Sequence, residues 1–489
     1  MLRSRAVRLT AAVLVAAVCG CAVGPDYKRP ATPSPEHYKS PVVAAPIPAP
    51  DAWWTLFHDD VLNELEEQVE VSNQNLAQAQ AAYAQAMALE GEQRAALFPT
   101  ISVAASGTRF SSGGATTPTT TLGGGSTGVS LTSPSAHSST SYQASASGNW
   151  ELDVWGRLRR ELENARDNAQ ASAADLAAAR LSAQGALATA YLQLREADAE
   201  RRILTATVDA YARTLQITQN RYSAGFAPKT DVLQAETQLY TSQQQEAALI
   251  LERVQYENTI APLVGKVASD FSLAQREEWT IPVPDIPTGV PSTLLERRPD
   301  IVSAERLVAA ANATIGVEIA AYFPAFTLTG SYGFLSTALS TLFEKVNESK
   351  SAALSGSDTL LDFGARREAV AAARAAHAQA VATYRQTVLA AFQAVENQLA
   401  AVDMLAKEYK YLRQASDAAD ESERLTLNEY KAGTVDYTTV VVAQTAALSA
   451  RRTLAQVELS QQTAAVSLVT ALGGGWIPAT ADATPARPQ

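Results

Sequence analysis

Apolar side chains recur at two different spacings along this chain. Over residues 381–412 they fall every three or four positions, with polar residues between them. A mean spacing of about 3.5 residues is typical of a coiled-coil seam. The pattern repeats less regularly over residues 187–215. It predicts long helices, and the helix expected from about Ala365 to Lys431 would be on the order of 100 Å long.

The second spacing is an alternation with a period of two, which is typical of strands. Between Tyr142 and Val154, apolar or small residues alternate with Gln, Ser, Asn, Glu and Asp. Weaker alternation occurs in three other segments, of which the last is the least regular. The sequence therefore predicts four strands, at residues 100–110, 141–154, 325–335 and 352–363.

The order of these elements is repeated. Segment 220–225 (NRYSAG) returns as 428–433 (NEYKAG), and Phe98-Pro99 returns as Phe323-Pro324. Duplication on this scale indicates two copies of one structural unit. Gly225 and Gly433 would each allow the left-handed turn at the tip of a helical hairpin.

The expected organisation has six parts. They are a signal peptide of the lipoprotein type at 1–20, an acylated tether at 21–55, a first repeat at 56–265 with its helical hairpin at 157–265, a linker at 266–290, a second repeat at 291–472 with its hairpin at 365–472, and a tail at 473–489.

The N-terminus resembles a bacterial lipoprotein signal. Three arginines precede a short apolar run that ends at Val18-Cys19-Gly20-Cys21. Such a run is too short to span a bilayer. Cleavage would expose Cys21 for acylation, as an N-palmitoyl and S-diacylglycerol cysteine. The alternative is an ordinary secretory peptide whose cysteines are incidental.

Composition argues against several other functions. The formal net charge is −11, with no basic stripe for nucleic acid. The four histidines have no acidic or cysteine partners at ligand spacing, so we expect no metal. No phosphate-binding loop, nucleophile elbow or dinucleotide fingerprint is present, so we expect no cofactor and no enzymatic activity.

Aromatic residues flank the predicted strands, as in the girdles of membrane β-barrels. They are Phe98, Trp150, Trp155, Phe323 and Phe363. A soluble hairpin packed on helices is the alternative. Four strands cannot close a barrel, and open edges are costly in lipid. Two chains would give a barrel filled by side chains, whereas three would give one wide enough to conduct.

Several motifs together carry a family resemblance. The lipoprotein signal leads into GPDY at 24–27, both tips read YxAG, and the second repeat closes with ALGGGW at 471–476. In order and spacing these resemble the outer membrane factors of tripartite efflux pumps, the OprM/NodT-type lipoproteins related to TolC. The resemblance implies a mostly α protein with a small β part. A TolC-like α-barrel of long coiled-coil helices would continue into a trimeric twelve-stranded transmembrane β-barrel, with four strands per chain.

The resemblance also implies location and partners. We expect a homotrimer in the Gram-negative outer membrane, anchored by lipid, with a long periplasmic tunnel. Its expected partners are a periplasmic adaptor, also called a membrane fusion protein, and an inner-membrane RND pump.

The family resemblance further implies a periplasmic gate at the helix tips. It places a hydrogen-bonded clasp at Asp231 and Tyr430. Alternatively, Asp231 only complements the dipole of the return helix and Tyr430 is a seam residue. Relatives carry aspartates where this chain has Thr439 and Val442, so we expect an apolar aperture here. Ordinary packing of these valines between helices is the alternative.

The sequence thus predicts a passive exit duct for drugs or other small molecules. An outer-membrane component of a type I protein secretion system has the same architecture and is the first alternative. A structural coiled-coil envelope lipoprotein is the second, but it would leave the alternating strands unexplained.

Overall fold

A computed structural model describes residues 22–33, 35, 37–39, 50–112, 137–276, 283–284, 286, 297–474 and 476. The predicted signal peptide and Cys21 lie outside this part of the chain. None of the helices in the described ranges combines the length and the apolarity needed to cross a bilayer.

Seven α-helices and four strands make up most of the described residues. The helices are α1 (Asp60–Ser72), α2 (Gln74–Ala95), α3 (Arg157–Ser223), α4 (Lys229–Leu263), α5 (Pro299–Ala320), α6 (Ala365–Ala432) and α7 (Tyr437–Ala471). The strands are β1 (Thr100–Ser112), β2 (His137–Leu152), β3 (Ala325–Ser336) and β4 (Glu348–Ser357). A 3₁₀ helix over Pro50–Phe57 precedes α1.

The repeat is visible in the element lengths. Helices α3 and α6 have 67 and 68 residues, and α4 and α7 have 35 each. Helices α2 and α5 both have 22. Each copy therefore follows the order helix, two strands, long helix and return helix.

The strands form one antiparallel sheet in the order β1-β2-β3-β4. Its register pairs Ser102 with Ser147, Ser147 with Ser331, and Ser331 with Ser351. Strands β1 and β4 are the two edges. Because directly opposed residues in neighbouring strands point to the same side, this register determines which residues share a face.

The strand boundaries differ from the predicted ones mainly in β2, which ends at Leu152 instead of 154, and in β4, which begins at Glu348 instead of 352. Strand β2 begins at His137 instead of 141, since β1 extends to Ser112 and pairs with it there. Strand β4 ends at Ser357 instead of 363, because the next residues turn into α6. In that turn the Asp362 carboxylate accepts from the backbone N–H groups of Gly364 and Arg366, and Phe363 has a φ of 53°.

Side chains with hydrogen-bonding oxygens cap the short helices. The Asp59 carboxylate accepts from the N–H groups of Val61 and Leu62 and starts α1. Asn73 separates α1 from α2, and its amide oxygen accepts from the N–H groups of Asn75 and Leu76. Both residues satisfy N–H groups that a helix start would otherwise leave without a partner.

The chain divides into two compact units, and the boundaries between them fall inside several of the helices. The first unit comprises Met1–Lys28, Ala88–Arg166 and Ala309–His377 and contains the sheet. The second comprises Arg29–Met87, Asp167–Val308 and Ala378–Gln489.

In the first unit, the segment after residue 21 contacts the start of α3. The N–H of Val23 donates to the carbonyl of Trp155, and Asp26 pairs with Arg160 at 3.0 Å. Ala22 lies so close to Gly156 that a Cβ on this glycine would come within 2.7 Å of it. Residues 22–28 are therefore held by specific contacts, a detail that the Pro- and Ala-rich composition of segment 22–50 does not predict.

In the second unit, the main core includes residues that the sequence analysis assigned to the tether. Trp53, Trp54 and Phe57 are buried against α1, α3 and α7. Tyr38 is also buried, in a second cluster with Val395 and Leu468. The folded body thus begins before residue 56.

A buried ionic cluster in the second unit holds part of the predicted linker. Asp198 accepts from Arg195 at 3.0 Å and from Arg253 at 2.7 Å. The same two arginines donate to the carbonyls of Ala274 and Leu273. The charges are paired and hydrogen-bonded, as buried charges must be.

Candidate functional site

The sheet has two chemically different faces. One face carries large apolar side chains that are exposed to solvent in the isolated chain. Ile101 and Val103 are about four-fifths exposed, and Leu354 about two-thirds. The same face includes Trp150, Leu328 and Tyr332, which the strand register places on it. A contiguous exposed apolar surface of this kind marks a contact with protein or lipid.

The opposite face is lined by small hydroxyl-bearing residues. Ser102, Ser147, Ser331 and Ser351 form a row across all four strands. The hydroxyls of the first two lie 2.8 Å apart, as do those of the last two. Arg109, Glu348 and Lys350 on the first face and Phe110 and Leu335 on the second are exceptions, and they lie towards the strand ends far from the helices. Over the rest of the sheet the faces divide into apolar and polar, as in a strand set with lipid on one side and water on the other.

Aromatic side chains surround the ends of the strands next to the helices. Trp155 stacks on Phe323 with ring centroids 4.7 Å apart, and its indole N–H donates to the carbonyl of Pro324. Trp150 donates to the carbonyl of Leu97. Phe98 and Phe363 are largely exposed. The five predicted aromatic residues thus lie at one end of the sheet, in the first unit.

The two helix tips of the second unit are built by the same hydrogen bonds. At the end of α3, the N–H groups of Gly225 and Phe226 donate to the carbonyls of Tyr222 and Arg221. At the end of α6, Gly433 and Thr434 repeat both bonds with the carbonyls of Tyr430 and Glu429. This is the Schellman arrangement, and both glycines adopt the positive φ that it requires.

Tyr430 is fixed inside the tip of its own chain. Its side chain is buried in a cluster with Tyr437, Val440 and Ala235. The guanidinium of Arg221 lies 4.7 Å from the Tyr430 ring centroid and donates to the Tyr430 carbonyl at 2.6 Å. This arrangement combines a cation–π contact with a charge-assisted hydrogen bond.

The predicted clasp partners do not bond to each other within the described residues of one chain. The Tyr430 hydroxyl lies 3.5 Å from that of Thr218, at the limit of a hydrogen bond. Asp231 lies in the first turn of α4. Partial burial, followed by the nearby Asp436 carboxylate, raises the pKa of Asp231, and Arg221 opposes this shift. The clasp between Asp231 and Tyr430 therefore stays a prediction.

Thr439 and Val442, the aperture candidates, have different roles in α7. Asp436 caps this helix by accepting from the Thr439 N–H and hydroxyl, at 3.0 and 2.7 Å. These bonds lower the pKa of Asp436. Val442 is about two-thirds exposed. Only Val442 presents a free apolar surface, so it is the better candidate for an apolar aperture.

The sequence analysis missed Arg221, Thr218 and Tyr437 as tip residues. Arg221 had a signal, because it stands where the second copy has Glu429. Thr218 and Tyr437 gave none, since contacts between helices far apart in sequence are not readable from one copy.

The described residues contain no group of His, Cys, Asp and Glu that could hold a metal ion. Cys21, the predicted lipidation site, lies outside them.

Comparison with known proteins decides the family. Residues 65–266 and 290–474 match the sequence profile described as outer membrane efflux protein. The chain belongs to this family. The prediction of an efflux channel component located in the outer membrane is confirmed, and the family consists of channels and not of enzymes.

Relatives match over nearly the whole chain. The pyoverdine export outer membrane protein OpmQ of Pseudomonas aeruginosa is 29% identical over 472 residues, covering 96% of each chain. The probable efflux pump outer membrane protein TtgC of Pseudomonas putida is 29% identical over 481 residues, covering 97% of each.

Solved channels share the fold of this family member. The outer-membrane channel OprN matches with a TM-score of 0.83 and 29% identity, covering 93% of this chain and all of that one. The open-state channel MtrE of Neisseria gonorrhoeae matches with a TM-score of 0.80 and 26% identity, covering 94% and 100%. The predicted fold class, a TolC-like arrangement of long helices with a small β part, is confirmed.

Proposed function

We propose that this outer membrane efflux protein works as the passive exit duct of a tripartite, RND-type efflux system that exports small molecules. The observation that carries the proposal is the sheet, with one apolar face, one polar face and two edges in the isolated chain. A partner must complete such a sheet in a membrane.

Three copies of the chain would complete it. Unpaired backbone groups at an edge in lipid cost several kcal/mol each, so β1 of one chain should pair with β4 of the next. Three chains would supply twelve strands, enough for a conducting lumen, whereas the eight strands of two chains would be filled by side chains. We therefore propose a homotrimer.

The names of two relatives support the other proposed partners. The names of TtgC and OpmQ describe a pump component and an export protein, which supports coupling to an inner-membrane RND pump through a periplasmic adaptor. Pyoverdine is a small molecule, which favours small-molecule export over protein secretion. We also propose that Cys21 carries the N-palmitoyl and S-diacylglycerol groups that anchor the chain in the outer membrane.

We assign the periplasmic gate to the tips. Asp231 and Tyr430 would form the clasp between chains, and Val442 would narrow the aperture with apolar groups that resist hydration. The tip turns at Gly225 and Gly433 would set the positions of these residues, and the aromatics at the sheet end would lie at the membrane interface.

Deletion of the gene that encodes this chain tests the proposed function. We expect the deletion strain to become at least about fourfold more susceptible to several unrelated antibiotics or solvents, and the wild-type gene to restore resistance. Retained resistance with loss of a secreted protein would instead favour the type I secretion alternative.

A further inference from the structure

The polar face of the sheet is almost free of charge. Among the described strand residues on this face, Glu151 is the one Asp, Glu, Lys or Arg side chain. The serine row crosses β2 at Ser147, two same-face positions before Glu151. Glu151 is near the end of β2 from which the chain enters α3.

Arg157, in the first turn of α3, neutralises this carboxylate. Its Nη2 and Nε donate to one Glu151 carboxylate oxygen at 2.7 and 3.2 Å. Its Nη1 donates to Glu161 at 2.6 Å. Both Glu151 and Arg157 have side chains about one-third exposed, so solvent reaches the pair.

The pair borders an open cavity of about 290 Å³ at the base of the sheet. The lining includes Ala325, Ser357 and Arg366. Ala325 and Ser357 pair with each other on the polar face. The cavity therefore borders the polar face at its base, although Leu152 of the apolar face also contributes to its lining.

We propose that the Glu151–Arg157 pair determines the charge preference of the membrane part of the duct. This inference rests on the proposed function, since it takes the polar face as the lumen of a closed barrel. Neutral hydroxyls discriminate little between cations and anions. A charge exposed at the inner mouth would act on every solute that passes, and three chains would present three such charges at one level.

Because Glu151 is paired with Arg157, replacing Arg157 alone should change the charge preference of the duct. With Arg157 in place, each Glu151 charge is compensated at hydrogen-bond distance. Without Arg157, Glu151 and Glu161 of each of the three chains would lose this partner, and the added negative charge would attract cations and repel anions, an effect that falls with added salt.

The test measures the reaction rate of a cysteine placed beside Glu151. Thr327 faces Glu151 across the β2–β3 register, so Thr327→Cys places a thiol on the polar face. The purified protein in neutral detergent is treated with a cationic trimethylammonium and an anionic sulfonate methanethiosulfonate reagent. Protein without the new cysteine corrects for background. Leu328→Cys, on the apolar face, is the matched control, and we expect it to react slowly with both reagents.

We expect Thr327→Cys to react with the two reagents at rates within about twofold of each other. Adding Arg157→Gln should raise the ratio of cationic to anionic rates by roughly fivefold or more at low ionic strength. Adding Glu151→Gln to this variant should return the ratio to its starting value. The increase should shrink in 1 M salt, given a Debye length of about 3 Å.

An unchanged ratio in Arg157→Gln, or a raised ratio that persists in the double variant, would overturn the proposal. If Arg157→Gln fails to fold, Glu151→Gln alone decides the matter, because it frees Arg157 from one partner and should shift the ratio towards the anion. Failure of the proposed function is distinguishable, since it appears as unchanged drug susceptibility of the deletion strain and not as a change in this ratio.

Discussion

At the residue scale, the most unusual titratable group of the second unit is Glu196. It is more than nine-tenths buried and lies near two other carboxylates, Glu200 on α3 and Glu252 on α4. Burial first, and then these charges, raise the pKa of Glu196 to about 7, with Arg452 of α7 opposing the shift. Tyr256 donates to Glu252 at 2.8 Å and completes the group.

This shift predicts a pH dependence of stability. A carboxyl group whose pKa is raised by folding stabilises the protein while it is protonated. That contribution is lost as the pH rises from the unfolded value of about 4.5 through about 7. Glu196→Gln should therefore raise the free energy of unfolding at pH 8 by about 2 to 3 kcal/mol and leave it nearly unchanged below pH 4.5.

Thermal unfolding at pH 4 and pH 8 checks this prediction. The melting temperature of the variant should exceed that of the parent at pH 8 only. Glu368→Gln is the control, because its side chain is about 71% exposed and its replacement should change neither value. Equal melting temperatures of Glu196→Gln and the parent at pH 8 would mean that Glu196 titrates normally.

At the element scale, the long helices were the easiest part to predict. A seam repeated over many heptads is a strong signal, and α6 spans Ala365–Ala432 where Ala365 to Lys431 was expected. Strand β4 was the hardest. Its Ser- and Ala-rich sequence alternates weakly, and its position follows from pairing with β3, which a single segment cannot show.

The helix tips at Gly225 and Gly433 also show that contacts between distant segments are hard to predict from sequence. The Gly turns were predictable because glycine alone adopts their positive φ without strain. The Arg221–Tyr430 contact was not, since it joins side chains more than 200 residues apart. The duplicated motifs located both tips, but the hydrogen bonds inside them depend on packing between helices.

The sheet offers a matched pair of glycines in one strand. A Cβ on Gly333 would come within 2.6 Å of the Ala144 carbonyl oxygen, a backbone atom of β2, whereas at Gly330 the nearest atom is 3.9 Å away. We expect Gly333→Ala to distort the β2–β3 pairing and to lower the yield of heat-resistant trimer in detergent severalfold. Gly330→Ala should assemble like the parent.

Electrophoresis of unheated membrane extracts measures this yield. Normal trimer from Gly333→Ala would show that the contact relaxes at little cost. A defect of equal size in both variants would point to the general loss of a strand glycine and not to the close contact.

At the scale of the whole molecule, the proposed gate depends on the contacts that the Tyr430 hydroxyl makes at the helix tips. In one chain the Tyr430 hydroxyl makes only a long contact with Thr218. Removing it should therefore cost the chain little stability, about 1 kcal/mol or less. Any large effect on the channel would have to come from contacts formed in the assembly.

We predict that Tyr430→Phe raises single-channel conductance in planar bilayers and the leak of large antibiotics into cells. Tyr437→Phe is the control, because Tyr437 packs against Tyr430 with ring centroids 5.4 Å apart but takes no part in the proposed clasp. Unchanged conductance of correctly assembled Tyr430→Phe would contradict the clasp between Asp231 and Tyr430.

The contacts of Ala22 and Val23 with the start of α3 limit where the N-terminal segment can lie. If residues 22–50 made no contacts with the rest of the chain, this segment could extend roughly 90 Å. Instead, Ala22 lies against Gly156, and the N–H of Val23 donates to the carbonyl of Trp155. The first described residues therefore stay beside the aromatic end of the sheet, although a free segment of this length could carry them tens of ångströms away.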